Sequence, residues 1–167
     1  KIPNTLIING MKILFLFPIP IICAILLNEI RNKAFRKLSQ TAIYVPYFFS
    51  WVVVFGIFYS LFGSYGVVNN VIAALGHARI KFFTDTGIFR WLLVFTEGWK
   101  EIGYNTVIYL AAITGIDIAL YEAASVDGAN KWKQIWHVTM PGLLPTIVLT
   151  FILKVGYILD TGFEQVL

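Results

Sequence analysis

Charged side chains are scarce in this chain of 167 residues, where they make up 13% of the total, against about 25% in soluble domains. Hydrophobic types account for 58% of the residues, and the mean hydropathy is +0.76. These values exclude a soluble globular domain. Because a membrane-spanning helix needs about 20 apolar residues, the chain has room for about four or five spans and for no large domain outside the membrane.

Cysteine, histidine and catalytic motifs are also nearly absent. The single cysteine, Cys23, lies within the first apolar run, which excludes an internal disulfide and indicates a small packed side chain. His77 and His137 are far apart, and the sequence contains no H-E-x-x-H, no G-x-S-x-G and no phosphate loop of the G-x-x-x-x-G-K-S/T type. We therefore predict no catalytic residue, no metal site and no bound cofactor, and we expect any ATP to be hydrolysed by another subunit.

Four apolar runs predict an all-α fold, a polytopic transmembrane helical bundle formed by a single domain over residues 1–167. The first methionine is Met11, so we expect the sequence to be an excerpt of a longer protein that lacks at least one span. The predicted spans are residues 4–27, 41–62, 88–115 and 143–159.

Basic residues predict the orientation of this bundle. The first connection, residues 28–40, holds four Lys and Arg residues, whereas the longer second connection, residues 63–87, holds two. Because short loops rich in Lys and Arg stay in the cytoplasm, the first connection and the later loop 117–142 are predicted to be cytoplasmic. Apolar residues at helical spacing between Val67 and Leu75 indicate a short helix lying at the outer interface.

Besides Arg90, near the start of the third span, five charged residues fall within the predicted spans. At the centre of a span each would cost about 2.5–3.5 kcal/mol, so we expect them to face protein or a wet cavity, which favours a polar pathway over an inert anchor. The alternative is a structural role, since Lys12 and Lys154 could snorkel and Glu97 could pair with Lys100 at i, i+3. The five residues are Lys12, Glu97, Lys100, Glu101 and Lys154.

The third run also places aromatic and amide side chains beside these carboxylates. Aromatic faces and carboxylate acceptors together suit sugars, which have apolar ring faces and hydroxyl rims. Tryptophan and tyrosine occur at membrane interfaces without any ligand, so an interfacial role stays open for Trp91. The substrate-pathway candidates are Glu97, Trp99, Lys100, Glu101, Tyr104 and Asn105.

The loop 117–142 predicts two short helices separated by a glycine. Residues from about Ile118 to Val126 favour a helix, and Gly128 can take the positive φ that ends one. Asn130 can cap a second helix, whose apolar face predicts that it lies along the membrane surface. The residues expected to stop that helix and to start the fourth span are Pro141 and Pro145.

Within this loop, Glu122-Ala123-Ala124 is followed by Asp127-Gly128-Ala129, Trp132, Met140-Pro141 and Pro145. The pattern resembles the EAA loop of permease subunits in binding-protein-dependent ABC importers. Segments such as Tyr44-Val45-Pro46-Tyr47-Phe48 and Gly103-Tyr104-Asn105 extend the likeness to maltose-permease-like subunits for oligo- or polysaccharides, in the carbohydrate-uptake branch. Two departures are Ile135, where the family commonly has phenylalanine, and the added acids Glu97 and Glu101.

The resemblance implies a role for each residue of the loop motif. Glu122 would form a salt bridge or hydrogen bonds with the ATPase, and Ala123 and Ala124 would allow close packing in its cleft. Gly128, next to Ala129, would permit the turn, and Asp127 would hold the loop by accepting backbone hydrogen bonds. Movement of this coupling helix on closure of the ATPase dimer would switch the cavity between outward and inward access.

The same resemblance implies a protein of the bacterial plasma (inner) membrane that forms half of the translocation pathway for a saccharide. The implied partners are a cytoplasmic ABC ATPase dimer that binds ATP, a second permease subunit, an extracytoplasmic solute-binding protein, the saccharide and the lipid membrane, with no nucleic acid. Three other interpretations stay open at this point. They are an importer permease for a non-sugar solute, an ion-coupled transporter or channel, and a membrane-embedded enzyme.

Overall fold

The computed structural model describes residues 2–156, with side chains from residue 7 onward, and this part of the chain is built from helices. The predicted all-α fold is therefore confirmed. Two π-helical turns, Lys12–Leu16 and Ile135–Thr139, and one 3-10 turn, Val45–Phe48, connect helices. The helices are α1 (Ile2–Met11), α2 (Pro18–Glu29), α3 (Lys33–Tyr44), α4 (Trp51–Phe62), α5 (Val67–Ala74), α6 (Thr86–Thr114), α7 (Ile118–Val126), α8 (Lys131–Gln134) and α9 (Met140–Gly156).

Three helical stretches are long and apolar enough to cross a membrane, namely Ile7–Glu29, Trp51–Ala74 and Lys131–Gly156. The helix α6 qualifies together with α7, from which a bend of 67° separates it, so the structure allows up to 4 spans by length and composition. This agrees with the four apolar runs of the sequence. Residues 157–159, at the end of the fourth predicted span, lie outside the described residues.

The helix that begins at Lys131 does not stop at the prolines, contrary to the prediction. It continues through the π-helical turn into α9 as one stretch that ends at Gly156 and contains Pro145. A proline ring clashes with the carbonyl four residues earlier in a regular helix, and the wider π-helical turn before Pro141 relieves that clash. The expected surface helix is therefore the first part of the last long helix.

The second apolar run is divided differently from the prediction. The helix α3 already begins within the basic connection, because Asn32 Oδ1 accepts the N–H of Ala34 at 3.0 Å and thereby caps it. Pro46 cannot donate the hydrogen bond that would continue this helix, so the chain turns. It becomes helical again at Trp51, where Ser50 Oγ accepts the Val53 N–H at 3.3 Å.

The longest helix, α6, lies at the centre of the described bundle. One buried apolar cluster packs α2 and α9 against its second half, and a second cluster packs α4 against its first half. Gly103 allows the end of α3 to approach α6, since a Cβ at this position would stand 2.9 Å from Tyr44 Cα. The buried members of the two clusters are Ile21, Ala24, Leu27, Tyr109, Leu110, Ile113 and Leu143, and then Val54, Phe58 and Leu92.

The connection between α4 and α6 contains the predicted short helix, which is α5. A fully buried side chain, Asn69, holds this connection together. Its amide nitrogen donates to Gly63 O at 3.0 Å and to Ile80 O at 2.9 Å, and its oxygen accepts the Ile80 N–H at 2.7 Å. The connection is therefore an ordered cap on this end of the bundle.

Candidate functional site

The first part of the loop after α6, from Asp117 to Gly128, folds as its residues predict. Asp117 caps α7 by accepting the Ala119 N–H at 2.9 Å. At the other end the Ala129 N–H donates to Ala124 O at 2.9 Å and the Gly128 N–H donates to Ser125 O at 3.1 Å, the pair of bonds that closes a helix through a left-handed residue. Gly128 is that residue, with φ of +75°, so its predicted turn is confirmed.

Hydrogen bonds attach one side of α7 to the helix that follows it. Tyr121 Oη lies 2.9 Å from Thr139 Oγ1, and the buried Gln134 donates through Nε2 to Ser125 Oγ at 2.8 Å. The Lys131 side chain reaches back to the end of α2 and pairs with Glu29 at 3.3 Å. The loop is therefore connected to α9 and to α2 by side-chain contacts as well as by the chain itself.

The other side of α7 is open to solvent. Glu122, Ala123 and Asp127 are exposed, Ala124 is half-buried, and the Val126 side chain is exposed at 87%. A cleft of about 680 Å³ separates α7 from the ends of α2 and α6 and includes Glu122 in its lining. Asp127 contributes its N–H, which donates to Ala123 O at 3.0 Å, and the expected role of its carboxylate stays a prediction.

A second group of polar residues lies inside the bundle. Glu97 of α6 is buried between two lysines from different parts of the chain. Lys12, in the first π-helical turn, pairs with Glu97 Oε2, and Lys154 of α9 donates to Oε1 at 3.2 Å. One carboxylate thus joins the first π-helical turn, α6 and α9, which explains how these charges are accommodated among apolar helices.

Lys100 faces a different part of the bundle from Glu97. Its Nζ donates to Tyr47 O at 3.2 Å and lies 5.1 Å from the centre of the Tyr47 ring and 5.2 Å from that of Trp51. The Tyr104 ring stacks on Tyr47 with centroids 4.8 Å apart. Within the described residues, Lys100 forms an ion pair with Glu101 at 4.0 Å and none with Glu97. The structural alternative considered above, a pair of Glu97 with Lys100 at i, i+3, is therefore absent from this part of the chain.

The six pathway candidates therefore do not form one site. Glu97, Glu101 and Asn105 follow one another at i, i+4 and i+8, and all three line a cavity of about 40 Å³, which is too small for a sugar ring. Lys100 and Tyr104 contact Tyr47. Trp99 packs in the aromatic cluster, with its ring centre 5.7 Å from that of Phe58.

Three further polar side chains line the cavity. Tyr109 Oη lies 2.7 Å from Thr150 Oγ1, and the Lys154 side chain completes the lining beside Glu97. The helical spacing of Tyr109, four residues after Asn105, could have indicated its position, and Thr150 precedes Lys154 by the same interval. The pairing of these two positions across α6 and α9 depends on packing, which the sequence pattern does not show.

The chain belongs to the family described as binding-protein-dependent transport system inner membrane component, which residues 17–163 match. This confirms the predicted family and the location in the bacterial inner membrane. The family consists of transport components, in agreement with the prediction that the chain is not itself an enzyme.

The chain is similar to named permeases and to a solved transporter. It is 44% identical over 164 residues to the polygalacturonan/rhamnogalacturonan transport system permease protein YteP of Bacillus subtilis (strain 168), covering 98% of this chain and 51% of that protein. The lactose transport system permease protein LacF of Rhizobium radiobacter is 34% identical over 151 residues, 89% of this chain and 50% of that protein.

The solved structure is that of a bacterial ABC transporter involved in the import of the acidic polysaccharide alginate. It matches with a TM-score of 0.92 at 42% identity, over 97% of this chain and 57% of that chain. The chain spans about half the length of the curated relatives it matches.

Proposed function

We propose that this chain forms half of the translocation pathway of a saccharide ABC importer and couples it to a separate ATPase dimer through α7 and the turn after it. The observation that carries this proposal is the two-sided arrangement of α7. Glu122 and Ala123 are exposed, while Tyr121 and Ser125 are hydrogen-bonded to the following helix. A partner that displaces α7 would therefore displace α9 with it.

The chemistry of the exposed side suits a protein partner. Small side chains at Ala123 and Ala124 let the backbone of α7 approach another surface closely, and the Glu122 carboxylate offers an acceptor for a basic or N–H group. The partner would bind and hydrolyse ATP, because the sequence contains no phosphate loop. The complete importer would also contain a second permease subunit and an extracytoplasmic solute-binding protein.

Mutation of the exposed side tests the coupling. In the full-length protein, assembled with its ATPase, its second permease subunit and its binding protein, Glu122→Ala or Gly128→Asp should abolish substrate-stimulated ATPase activity while the complex stays assembled. Lys81→Ala, which removes an exposed charge in the connection between α4 and α6, should leave that activity unchanged. Normal transport with both loop variants would contradict the proposal.

The substrate is proposed to be an acidic saccharide. The charged cluster of Lys12, Glu97, Lys100, Glu101 and Lys154 holds three lysines against two glutamates within the described residues. Lys154 is the most exposed of the three lysines and pairs with a carboxylate that Lys12 already neutralises. Because its side chain is 36% exposed, Lys154 can exchange Glu97 for the carboxylate of a uronic acid that passes outside the small cavity.

Uptake measurements separate the substrate from the coupling mechanism. The intact importer should take up oligogalacturonates in preference to neutral oligosaccharides of the same length, and Lys154→Gln should reduce uptake of the acidic series while Lys154→Arg retains it. Preferential uptake of the neutral series would contradict the acidic substrate and leave the coupling proposal standing. Uptake of a non-sugar solute alone would reject the saccharide as well.

A further inference from the structure

The helix α3 is too short and too polar to cross a membrane. It has 12 residues and so measures about 18 Å, against about 30 Å of hydrocarbon. Three of its residues, Lys33, Arg36 and Lys37, are basic. It nevertheless continues through a short turn into the apolar helix α4, so it lies where the chain enters the membrane.

One face of α3 exposes large apolar side chains. Phe35 is 58% exposed and Leu38 67%, and Val45, in the turn that follows, is 43% exposed. These three positions, here called the apolar stripe, are separated by three and seven residues and therefore lie on one side of the helix. The opposite side packs against α6 near Gly103, so the stripe points away from the bundle.

Basic side chains flank the apolar stripe with no acidic residue among them. From Ile30 to Tyr44 the chain contains Arg31, Lys33, Arg36 and Lys37 and neither Asp nor Glu. The carboxylate just before this segment, Glu29, already pairs with Lys131 at 3.3 Å. Positive charge beside an outward apolar stripe matches a membrane surface, where acyl chains lie beneath anionic headgroups.

We propose that α3 is an interfacial helix that binds the anionic lipid of the cytoplasmic leaflet, with Lys33 and Lys37 as headgroup ligands and the apolar stripe inserted below them. The second permease subunit fits this surface less well, since lysine is depleted from the cores of protein interfaces. Lysine stems can lie along the acyl boundary while their ammonium groups reach the phosphates. This proposal does not depend on the identity of the transported solute.

Lipid binding tests the charges. For the full-length protein, native mass spectrometry should show that Lys33→Gln with Lys37→Gln weakens phosphatidylglycerol binding about fivefold per charge, because each basic residue near an anionic surface contributes about 1 kcal/mol. Lys33→Arg with Lys37→Arg should retain the binding. Arg79→Gln with Lys81→Gln removes two charges from the connection between α4 and α6 and should leave phosphatidylglycerol binding unchanged. Equal losses of phosphatidylglycerol binding in the two double Gln variants, or no loss in either, would overturn the proposal.

A spin label at the apolar stripe tests its surroundings. In the assembled complex in phosphatidylcholine and phosphatidylglycerol membranes, a nitroxide on Phe35→Cys, in a Cys23→Ser background, should be more accessible to oxygen than to a water-soluble nickel chelate. Shielding from both reagents would mean that a protein surface covers the stripe. Greater access to the chelate would mean that the stripe lies in water. Either result would reject the lipid proposal.

Discussion

Lys154 donates a hydrogen bond to Glu97 Oε1 at 3.2 Å, while the other oxygen of the same carboxylate pairs with Lys12. Two lysines that are far apart in sequence thus share one acid on α6. Glu97 and Lys12 are both buried, so the acid places a negative charge beside two lysines within a bundle of apolar helices.

Replacing Glu97 by Gln should therefore destabilise the bundle strongly. Removing one partner of a buried ion pair costs about 3–5 kcal/mol, because the remaining charge loses the opposite charge beside it. Thermal unfolding of the purified full-length protein in detergent should show a clearly lower midpoint. Glu101→Gln is a matched control, since the Glu101 side chain is 32% exposed and its lysine contact is longer, at 4.0 Å; a similar loss in both variants would contradict this explanation.

Gly103→Ala should also destabilise the protein, through a clash. A Cβ at position 103 would collide with Ile43 O and stand 2.9 Å from Tyr44 Cα, and backbone atoms cannot move aside as a flexible side chain does. Overpacking of this kind costs about 1–3 kcal/mol. Thermal unfolding can compare this variant with Gly56→Ala in α4, where a Cβ would meet nothing within 4 Å, and which should keep or raise stability through its better helix propensity. Equal midpoints for the two variants would be inconsistent with a close α3–α6 contact.

The loop helix could be predicted from the sequence because local interactions determine it. The bounds Ile118–Val126, the positive φ of Gly128 and the cap at Asn130, which accepts the Lys133 N–H at 2.9 Å, all depend on residues within a few positions of one another. The four apolar runs were also predictable, because a helix that crosses the hydrocarbon of a membrane needs about 20 predominantly apolar residues in a row.

Packing between distant segments was not predictable in the same way. The charges of Lys12, Glu97 and Lys154 indicated a polar cluster, but the sequence did not show which pairs would form. Trp99 sits two positions from Glu97 and yet packs on Phe58, because a helix turns by about 100° per residue and presents neighbouring positions to different partners. The continuation past Pro141 depended on a π-helical turn that propensity alone does not predict.

Asn69→Ala should loosen the connection between α4 and α6. The substitution removes the hydrogen-bond partners of the part-buried Ile80 N–H and C=O, and each lost hydrogen bond of this kind corresponds to about 0.5–1.5 kcal/mol. Hydrogen exchange should become faster at the Ile80 amide. The neighbouring Asn70→Ala is the control, because the exposed Asn70 donates to Tyr65 O at 3.0 Å without being buried, and it should change exchange at Ile80 little. Unchanged protection at Ile80 in Asn69→Ala would refute the role of this side chain.

Tyr121→Phe should weaken the attachment of α7 to the last helix without altering the exposed side of the loop. The substitution removes only the hydroxyl that lies 2.9 Å from Thr139 Oγ1, and Thr139 is 3% exposed, so its oxygen is left with poor access to water. A single lost hydrogen bond of this type corresponds to about 1 kcal/mol.

If α7 transmits motion through this contact, substrate stimulation of the ATPase in the assembled complex should fall while basal hydrolysis persists, and hydrogen exchange over Ile118–Val126 should accelerate. Tyr65 lies in the connection between α4 and α6 and is 79% exposed. Tyr65→Phe should therefore change neither the substrate stimulation nor the hydrogen exchange of α7. Faster exchange with full stimulation would show that the hydroxyl contact orders α7 but does not carry the coupling.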